Sequence, residues 1–354
     1  MVRTNNLKIT GISPIIAPAE LKQVFPLSGE SAEFVTESRT AIQNILSNRD
    51  RRLMAVVGPC SIHDPDAAID YAKKLATLSK ELEDQLLLVM RVYFEKPRTT
   101  IGWKGLINDP DLNGTHQISK GLGVARRLLC RITDLGLPVA TEMLDPITPQ
   151  YMADLLSWGA IGARTTESQV HREMASGLSF PVGFKNGTDG SLQIALDAMK
   201  SALHAHNFLG INSEGKTSII KTTGNCDVHI VLRGGNNGPN FSAADIRSTE
   251  EMLEKAGLGN GIMVDCSHAN SSKDHEKQPA VLSEVIEQIV SGDKSINSVM
   301  IESNLEAGNQ PMADSLEELK YGVSITDKCI DWTTTEAILR DAHAKLKEIG
   351  GRKV

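Results

Sequence analysis

The feature that most constrains this chain is a rhythm. From residue 53 onward, short apolar runs alternate with longer amphipathic stretches. The runs that read as strands are 53–57, 86–90, 137–141, 160–163, 181–184, 228–232, 261–265 and 298–301. Strands that alternate with helical segments form βαβ units, and such units build a parallel sheet. Eight of them predict an α/β fold, a (β/α)8 or TIM barrel. A doubly wound open sheet is the alternative, but it would usually announce itself with a glycine-rich first turn.

The intervening stretches carry helix signals. Asp64 precedes Pro65, a cap followed by proline at the first helical position, and Ile69, Ala72, Leu75 and Ala76 follow at helical spacing. Thr148-Pro149 repeats that signal, and Gly159 is read as the end of the helix it opens. Ser242 with Asp245 resembles a capping box, and Gly257 closes that helix. Two stretches fall outside the rhythm. Residues 1–50 precede the first strand and read as an N-terminal extension to a barrel of residues 51–354. Residues 207–227 hold turn residues and a β-branched run, Thr217 to Ile220, and read as a β-hairpin insertion.

Composition narrows the class. Of 354 residues, 40% are hydrophobic and 23% charged, which excludes a disordered or collagen-like chain. Lys and Arg total 37 against 44 Asp and Glu, a net charge of −7, so nucleic acid and anionic membranes are not expected partners. No apolar run approaches the ~18 residues of a membrane span. Residues 1–8 are polar and lack the apolar core of a signal peptide, so a cytoplasmic location is expected. Five cysteines, Cys60, Cys130, Cys226, Cys266 and Cys329, form no C-x-x-C pair and are expected as reduced thiols.

One or a few residues past each strand candidate stand Cys60, Arg91, Glu142, Arg164, Lys185, Arg233, His268 and Glu302. In a barrel these positions converge on the C-terminal face, where barrel active sites lie. They divide by chemistry. Arg91, Arg164, Lys185 and Arg233, joined by Lys96 and Arg98, are cations, and such a cluster in an acidic chain implies a multiply anionic substrate. Cys60, His268 and Glu302, with Asp327 from the last loop, mix soft and hard donors. That set suits one divalent transition metal, Mn, Fe, Co or Zn, better than Ca or Mg. Residues 210–217 match a P-loop pattern, but a helical stretch precedes them and a β-branched run follows, the reverse of what a P-loop needs. Residues 234–238 are glycine-rich without the G-x-G-x-x-G form and read as a flexible turn beside Arg233.

With those residues in place, strings across almost the whole chain resemble the class I 3-deoxy-D-arabino-heptulosonate 7-phosphate (DAHP) synthases. They include Gly58-Pro-Cys-Ser-Ile-His-Asp64, Arg91-Val-Tyr-Phe-Glu-Lys-Pro-Arg-Thr99, Gly162-Ala-Arg-Thr-Thr-Glu-Ser-Gln169, Gly183-Phe-Lys-Asn-Gly-Thr-Asp-Gly190, Asp265-Cys-Ser-His268 and Ser324-Ile-Thr-Asp327. The resemblance implies condensation of phosphoenolpyruvate with erythrose 4-phosphate and water to DAHP and phosphate, the entry to aromatic amino-acid biosynthesis. It implies phosphoenolpyruvate contacts from Arg91, Lys96, Ala163, Arg164, Lys185 and Arg233, and aldose phosphate contacts from Arg98 and Thr99. It carries the metal ligands over as Cys60, His268, Glu302 and Asp327. The chemistry of the reaction gives a catalytic set of Lys96, placed to protonate the new alkoxide, Glu142 or Lys185 for the protons of the attacking water, and His268.

The resemblance also implies feedback inhibition by an aromatic amino acid, held near Pro149, Gln150, Leu178, Ser179, Phe208 and Ile220, with Asn5 and Asn6 from a neighbouring subunit of a homodimer or homotetramer. Asp145-Pro146 and residues 25–28 look most like the tyrosine-sensitive type, with a phenylalanine-regulated form as the alternative. Three further readings stay open: a Schiff-base aldolase using Lys185, a non-enzymatic amino-acid sensor, and a synthase taking arabinose 5-phosphate.

Overall fold

A computed structural model describes residues 4–259, 261–313 and 318–354. Eight parallel strands close into a barrel: β1 (Leu53–Gly58), β2 (Leu86–Arg91), β3 (Val139–Glu142), β4 (Trp158–Ile161), β5 (Val182–Lys185), β8 (Val228–Leu232), β9 (Ile262–Asp265) and β10 (Ile296–Glu302). The antiparallel hairpin of β6 (Asn207–Ile211) and β7 (Thr217–Lys221) stands outside the barrel, between its fifth and sixth strands. Helices follow the barrel strands in turn: α3 (Pro65–Leu82), α4 (Ile118–Asp134), α5 (Pro149–Met152), α6 (Gln169–Ala175), α7 (Gln193–Ala202), α8 (Ala243–Ala256), α9 (Gln278–Val290) and α10 (Trp332–Glu348). The expected (β/α)8 barrel is therefore the fold. None of the described helices is long and apolar enough to cross a membrane.

Local chemistry explains the helix starts. The Asp64 carboxylate accepts from the amides of Asp66 and Ala67, and Pro65 follows where no amide is needed. Ser242 and Asp245 form the expected capping box, and Gly257 ends α8 at φ 67°, a left-handed conformation that suits glycine.

The barrel interior is filled by inward residues of alternate strand positions, among them Met54, Val56, Val89, Ala140, Trp158, Ala160, Val231, Met263 and Met300. Two helices, α1 (Pro18–Val24) and α2 (Gly29–Leu46), lie before the barrel. Ile42 and Ile45 of α2 join the interior cluster and close it at the N-terminal ends of the strands. Arg352 is fully buried at that same end, donating to the carbonyls of Asp50, Arg52 and Ile296 at 3.1–3.3 Å. The chain's C-terminal stretch is thereby tied to the start of β1.

Four expectations need correction. The third and fourth strands run 139–142 and 158–161 rather than 137–141 and 160–163. Gly159 does not end a helix: it lies in β4, paired with Thr141 and Val182. The helix that opens at Pro149 stops at Met152 and passes into a single 3-10 turn, because Leu155 to Ile161 is one buried run that carries Trp158 into the barrel. Thr148 does not cap it either, since its hydroxyl donates instead to the Glu95 carboxylate at 3.0 Å. The turn at 234–238 is closed by paired hydrogen bonds between Gly235 and Gly238. The P-loop-like string spans the β6–β7 turn, where Lys216 pairs with Glu214 in the open, in agreement with its rejection.

Candidate active site and effector cavity

Alternation along each strand decides which side chains reach the barrel mouth. The last inward positions are Gly58, Arg91, Glu142, Gly162, Lys185, Arg233, Asp265 and Glu302. Arg91, Glu142, Lys185, Arg233 and Glu302 were expected there. Cys60, Arg164 and His268 reach the mouth from turns just beyond their strands. Two of these positions need glycine. A Cβ at Gly162 would collide with the Glu142 carboxylate, and one at Gly58 would press on the Arg91 main chain at 3.0 Å.

A cavity of about 610 Å3 opens on this face, lined by Thr99, Arg164, Arg233, His268, Glu302 and Asp327 among others. Glu302 and Asp327 of its lining meet the buried Cys60 thiol just beneath, and the three bring ligand atoms within 4.8 Å of one another. Cys60 Sγ lies 3.6 Å from Asp327 Oδ2. Among the described residues, His268 does not fall inside that tight cluster. Its Nε2 stands 4.0 Å from Glu302 Oε1, at the cluster's edge. Burial, and then the Glu302 charge, push the Cys60 thiol up to about 11. Two carboxylates and a thiol crowded in this way are a donor set that a divalent cation would neutralise, and the thiolate would form on binding. The residues present therefore fit a transition-metal ion.

The cations surround this cluster. Arg91 is fully buried, pairs with Glu302 at 3.1 Å, and stacks its guanidinium 3.9 Å from the Tyr93 ring centroid. Lys96 Nζ donates to Cys60 Sγ at 3.1 Å and to its carbonyl at 3.3 Å. Burial works against the Lys96 charge, but the acidic groups around it outweigh burial and raise its pKa. Burial lowers the Arg233 guanidinium, with Asp265 opposing and Arg164 adding like-charge repulsion. Arg98 does not line the cavity. It is exposed, donating to the Trp103 carbonyl at 2.7 Å, while Thr99 beside it does reach the lining. Ala163 stands half-buried in the turn after β4, which closes through the amides of Thr165 and Thr166 on the Gly162 carbonyl. Glu142 is buried with Oε1 lacking a hydrogen-bond partner among the described residues, an acceptor left open at the mouth.

Asp265 is the residue that sequence reasoning missed. Its Oδ2 takes both Lys185 Nζ at 2.8 Å and His268 Nδ1 at 2.9 Å, while Oδ1 accepts from the Ser267 amide and hydroxyl. Asp265 is fully buried, and burial alone would raise its pKa, yet Lys185 and His268 hold it well below the usual carboxylate range. His268 Nδ1 faces the Asp265 carboxylate and the Ser267 hydroxyl, the latter at 2.7 Å, which leaves Nε2 directed toward Glu302. This carboxylate–imidazole arrangement is the usual support of a ligating histidine. Two-residue alternation from Met263 would have marked Asp265 as inward, but only once the strand's phase was known.

A second cavity, of about 370 Å3, lies between α5, α6 and the hairpin. Pro149, Gln150, Leu178, Ser179, Phe208 and Ile220 all line it, so the six expected effector positions are brought together. Lys22 and Arg39 add cations, and Asp154 an anion, to its wall. Arg39 also donates to the carbonyls of Ala153 and Leu156 at 2.7 and 2.9 Å. All five cysteines are free thiols, as expected.

The comparisons with known proteins agree with this geometry. The model of the DAHP synthetase I family matches residues 27–340. The chain is 54% identical over 342 residues to the Tyr-sensitive phospho-2-dehydro-3-deoxyheptonate aldolase of Escherichia coli K12, covering 97% of this chain and 96% of that protein. It is 55% identical over 345 residues to the Phe-sensitive enzyme of the same organism, covering 98% of each. The solved phospho-2-dehydro-3-deoxyheptonate aldolase of Francisella tularensis superposes with a TM-score of 0.93 at 52% identity, covering 96% of this chain and 98% of that one. With a family model over most of its length and relatives more than half identical from end to end, the chain belongs to the DAHP synthetase I family of enzymes.

Proposed function

We propose that this chain condenses phosphoenolpyruvate with erythrose 4-phosphate and water to give DAHP and phosphate, with one divalent transition metal at Cys60, His268, Glu302 and Asp327. The observation that carries this reading is the placement of cations, Arg91 and Lys185 buried among them, around a thiol, imidazole and carboxylate cluster at one barrel mouth. Arg91 and Lys96 would receive the phosphoenolpyruvate carboxylate. Arg164, Lys185, Arg233 and the Ala163 amide would receive its phosphate, and Thr99 with Arg98 the aldose phosphate. When bound, the metal supplies Lewis-acid polarisation of the aldehyde.

The residues of the chain supply the rest. The cation ring holds C3 of phosphoenolpyruvate against the aldehyde carbon, so a bimolecular step becomes one of position. Lys96, already beside Cys60, delivers a proton to the new alkoxide. Glu142, with its open acceptor, takes a proton from the water that adds at C2. Phosphate then leaves with its bridging oxygen into the grip of Arg164 and Arg233. The ion pair of Lys185 with Asp265 disfavours the Schiff-base aldolase, because the nitrogen is engaged as an ammonium rather than offered as an amine.

The second cavity supports feedback inhibition by an aromatic amino acid; Tyr-sensitive and Phe-sensitive relatives are about equally identical, and Asp145-Pro146 with residues 25–28 is the ground on which we read the effector as tyrosine. We read residues 1–50 as the extension that serves regulation and subunit contacts, with residues 51–354 as the catalytic barrel, in a homodimer or homotetramer acting in the cytoplasm. The test follows phosphoenolpyruvate loss by ultraviolet absorbance with Mn2+, with EDTA, and with each aromatic amino acid. Turnover that EDTA abolishes and Mn2+ restores is expected, with tyrosine inhibiting most. No turnover from folded, reduced protein with any divalent metal would remove the reading.

A further inference from the structure

Gln278 opens α9 and is fully buried. Its side-chain Nε2 donates to the Glu302 carbonyl at 2.9 Å, and its Oε1 accepts from the Glu302 amide at 2.9 Å. One amide side chain thus satisfies both main-chain groups of one residue, as an adjoining strand would. The sheet explains why that is needed. On one side β10 pairs with β1 as far as Gly58 and Glu302. On the other it pairs with β9 only as far as Met300 and Asp265, where the Cys266 amide donates to the Met300 carbonyl. Beyond that point β10 runs on for two residues with no strand on the β9 side among the described residues, and Glu302 is the second of them.

Without Gln278, the Glu302 main chain would carry a buried donor lacking a protein partner, and its carbonyl would keep only the Ile330 amide at 3.0 Å. The Glu302 carboxylate has several neighbours to choose among: Arg91 at 3.1 Å, His268 Nε2 at 4.0 Å, and the Cys60 and Asp327 donor atoms within 4.8 Å. Where its Cα sits decides which of these it meets.

We propose that Gln278 is a positioning residue for the Glu302 carboxylate: by pairing the main chain of Glu302 where the sheet has run out, it sets the place of that oxygen in the cation site. The inference rests on the metal reading given above. A purely structural role for Gln278 would lower stability and leave the cation affinity of the folded protein alone.

The test uses full-length Gln278→Met, which keeps the length of the side chain and removes both hydrogen bonds, with Glu302→Ala as the reference. Circular dichroism and a thermal melt of the metal-free proteins establish folding. Titration calorimetry with Mn2+ alone then gives affinity, and the visible spectrum with Co2+ gives the ligand field. For Gln278→Met we expect Mn2+ affinity about 10- to 100-fold weaker, the range typical of lost outer support. The sulfur-to-cobalt charge-transfer band of Cys60 should persist while the d–d envelope shifts. Folded Gln278→Met that binds Mn2+ as wild type does, with an unshifted envelope, overturns the positioning role. If Glu302→Ala also binds Mn2+ like wild type, the metal reading itself fails, and the two failures are thus told apart. Should Gln278→Met not fold, Gln278→Ala, which leaves space for water on the freed main chain, takes the same measurements with the same expectation.

Discussion

Replacing Asp265 by Asn tests the support of the barrel mouth directly. The substitution keeps the shape of the side chain and removes its charge. Lys185, almost fully buried at 2.8 Å from Asp265 Oδ2, is then left without its counter-charge. At an effective dielectric of about 20, two charges at that distance attract by roughly 6 kcal/mol, and the desolvation of both groups offsets part of this. The expected net loss from removing one partner of a buried pair is about 3–5 kcal/mol. The Ser267 bonds to Oδ1 can survive in the Asn variant, so the loss should not exceed that range. Urea unfolding followed by tryptophan fluorescence gives the difference by linear extrapolation.

A double variant, Lys185→Met with Asp265→Leu, should lose less than Asp265→Asn alone, because no charge is then stranded. The change also reaches His268. An Asn amide group turned toward Nδ1 donates where the carboxylate could only accept, and so withdraws the support that orients the imidazole toward Glu302. Metal affinity should therefore fall together with stability. An Asp265→Asn protein within about 0.5 kcal/mol of wild type, the span of an ordinary surface change, would refute the argument.

Glu95 gives a pH prediction. Burial, and then Asp145, raise its carboxyl to about 8, while the Thr148 hydroxyl partly opposes them. A folded pKa above the unfolded value means stability that is full below about pH 4.5 and is lost as pH rises through 8. Glu95→Gln should therefore gain melting temperature over wild type as pH rises across that window, and a constant difference in a pH series of melts would refute it. Gly162→Ala drives a methyl into the Glu142 carboxylate, so we expect about 1–3 kcal/mol of overpacking and a large loss of turnover, read by urea unfolding and the phosphoenolpyruvate assay. In the second cavity Phe208 is half-buried, and Phe208→Ala removes an apolar contact worth about 1.5 kcal/mol, the low end of the range for a fully buried side chain. Half-inhibition by the aromatic effector should then need about tenfold more of it, with uninhibited turnover unchanged in the same assay.

Much of this molecule is written locally. The strands announce themselves because parallel strands in a barrel are apolar runs bounded by helix caps, and those caps act over three or four residues. Asp64 and Pro65, Ser242 and Asp245, and Gly257 each do in the structure what their neighbours in sequence require. The chemistry was legible for the same reason. A barrel brings all its strand ends to one face, so Cys60, Arg91, Lys185, Arg233 and Glu302 could be grouped before any distance was known.

What the sequence alone could not settle depends on phase and on partners far along the chain. Gly159 looks like a helix stop, yet the packing of Trp158 inside the barrel makes it strand. Asp265 reads as the last apolar-run residue until the two-residue alternation of β9 is fixed by its neighbours, which turn it inward to Lys185 and His268. The part Gln278 plays could not be seen in the sequence, because nothing near it shows that β9 stops short of Glu302, 24 residues away. Local rules choose the elements, since caps and apolar periods act within a turn or two. Only the closed barrel decides which polar groups are buried together, because that depends on register between strands, and register is a property of the whole sheet.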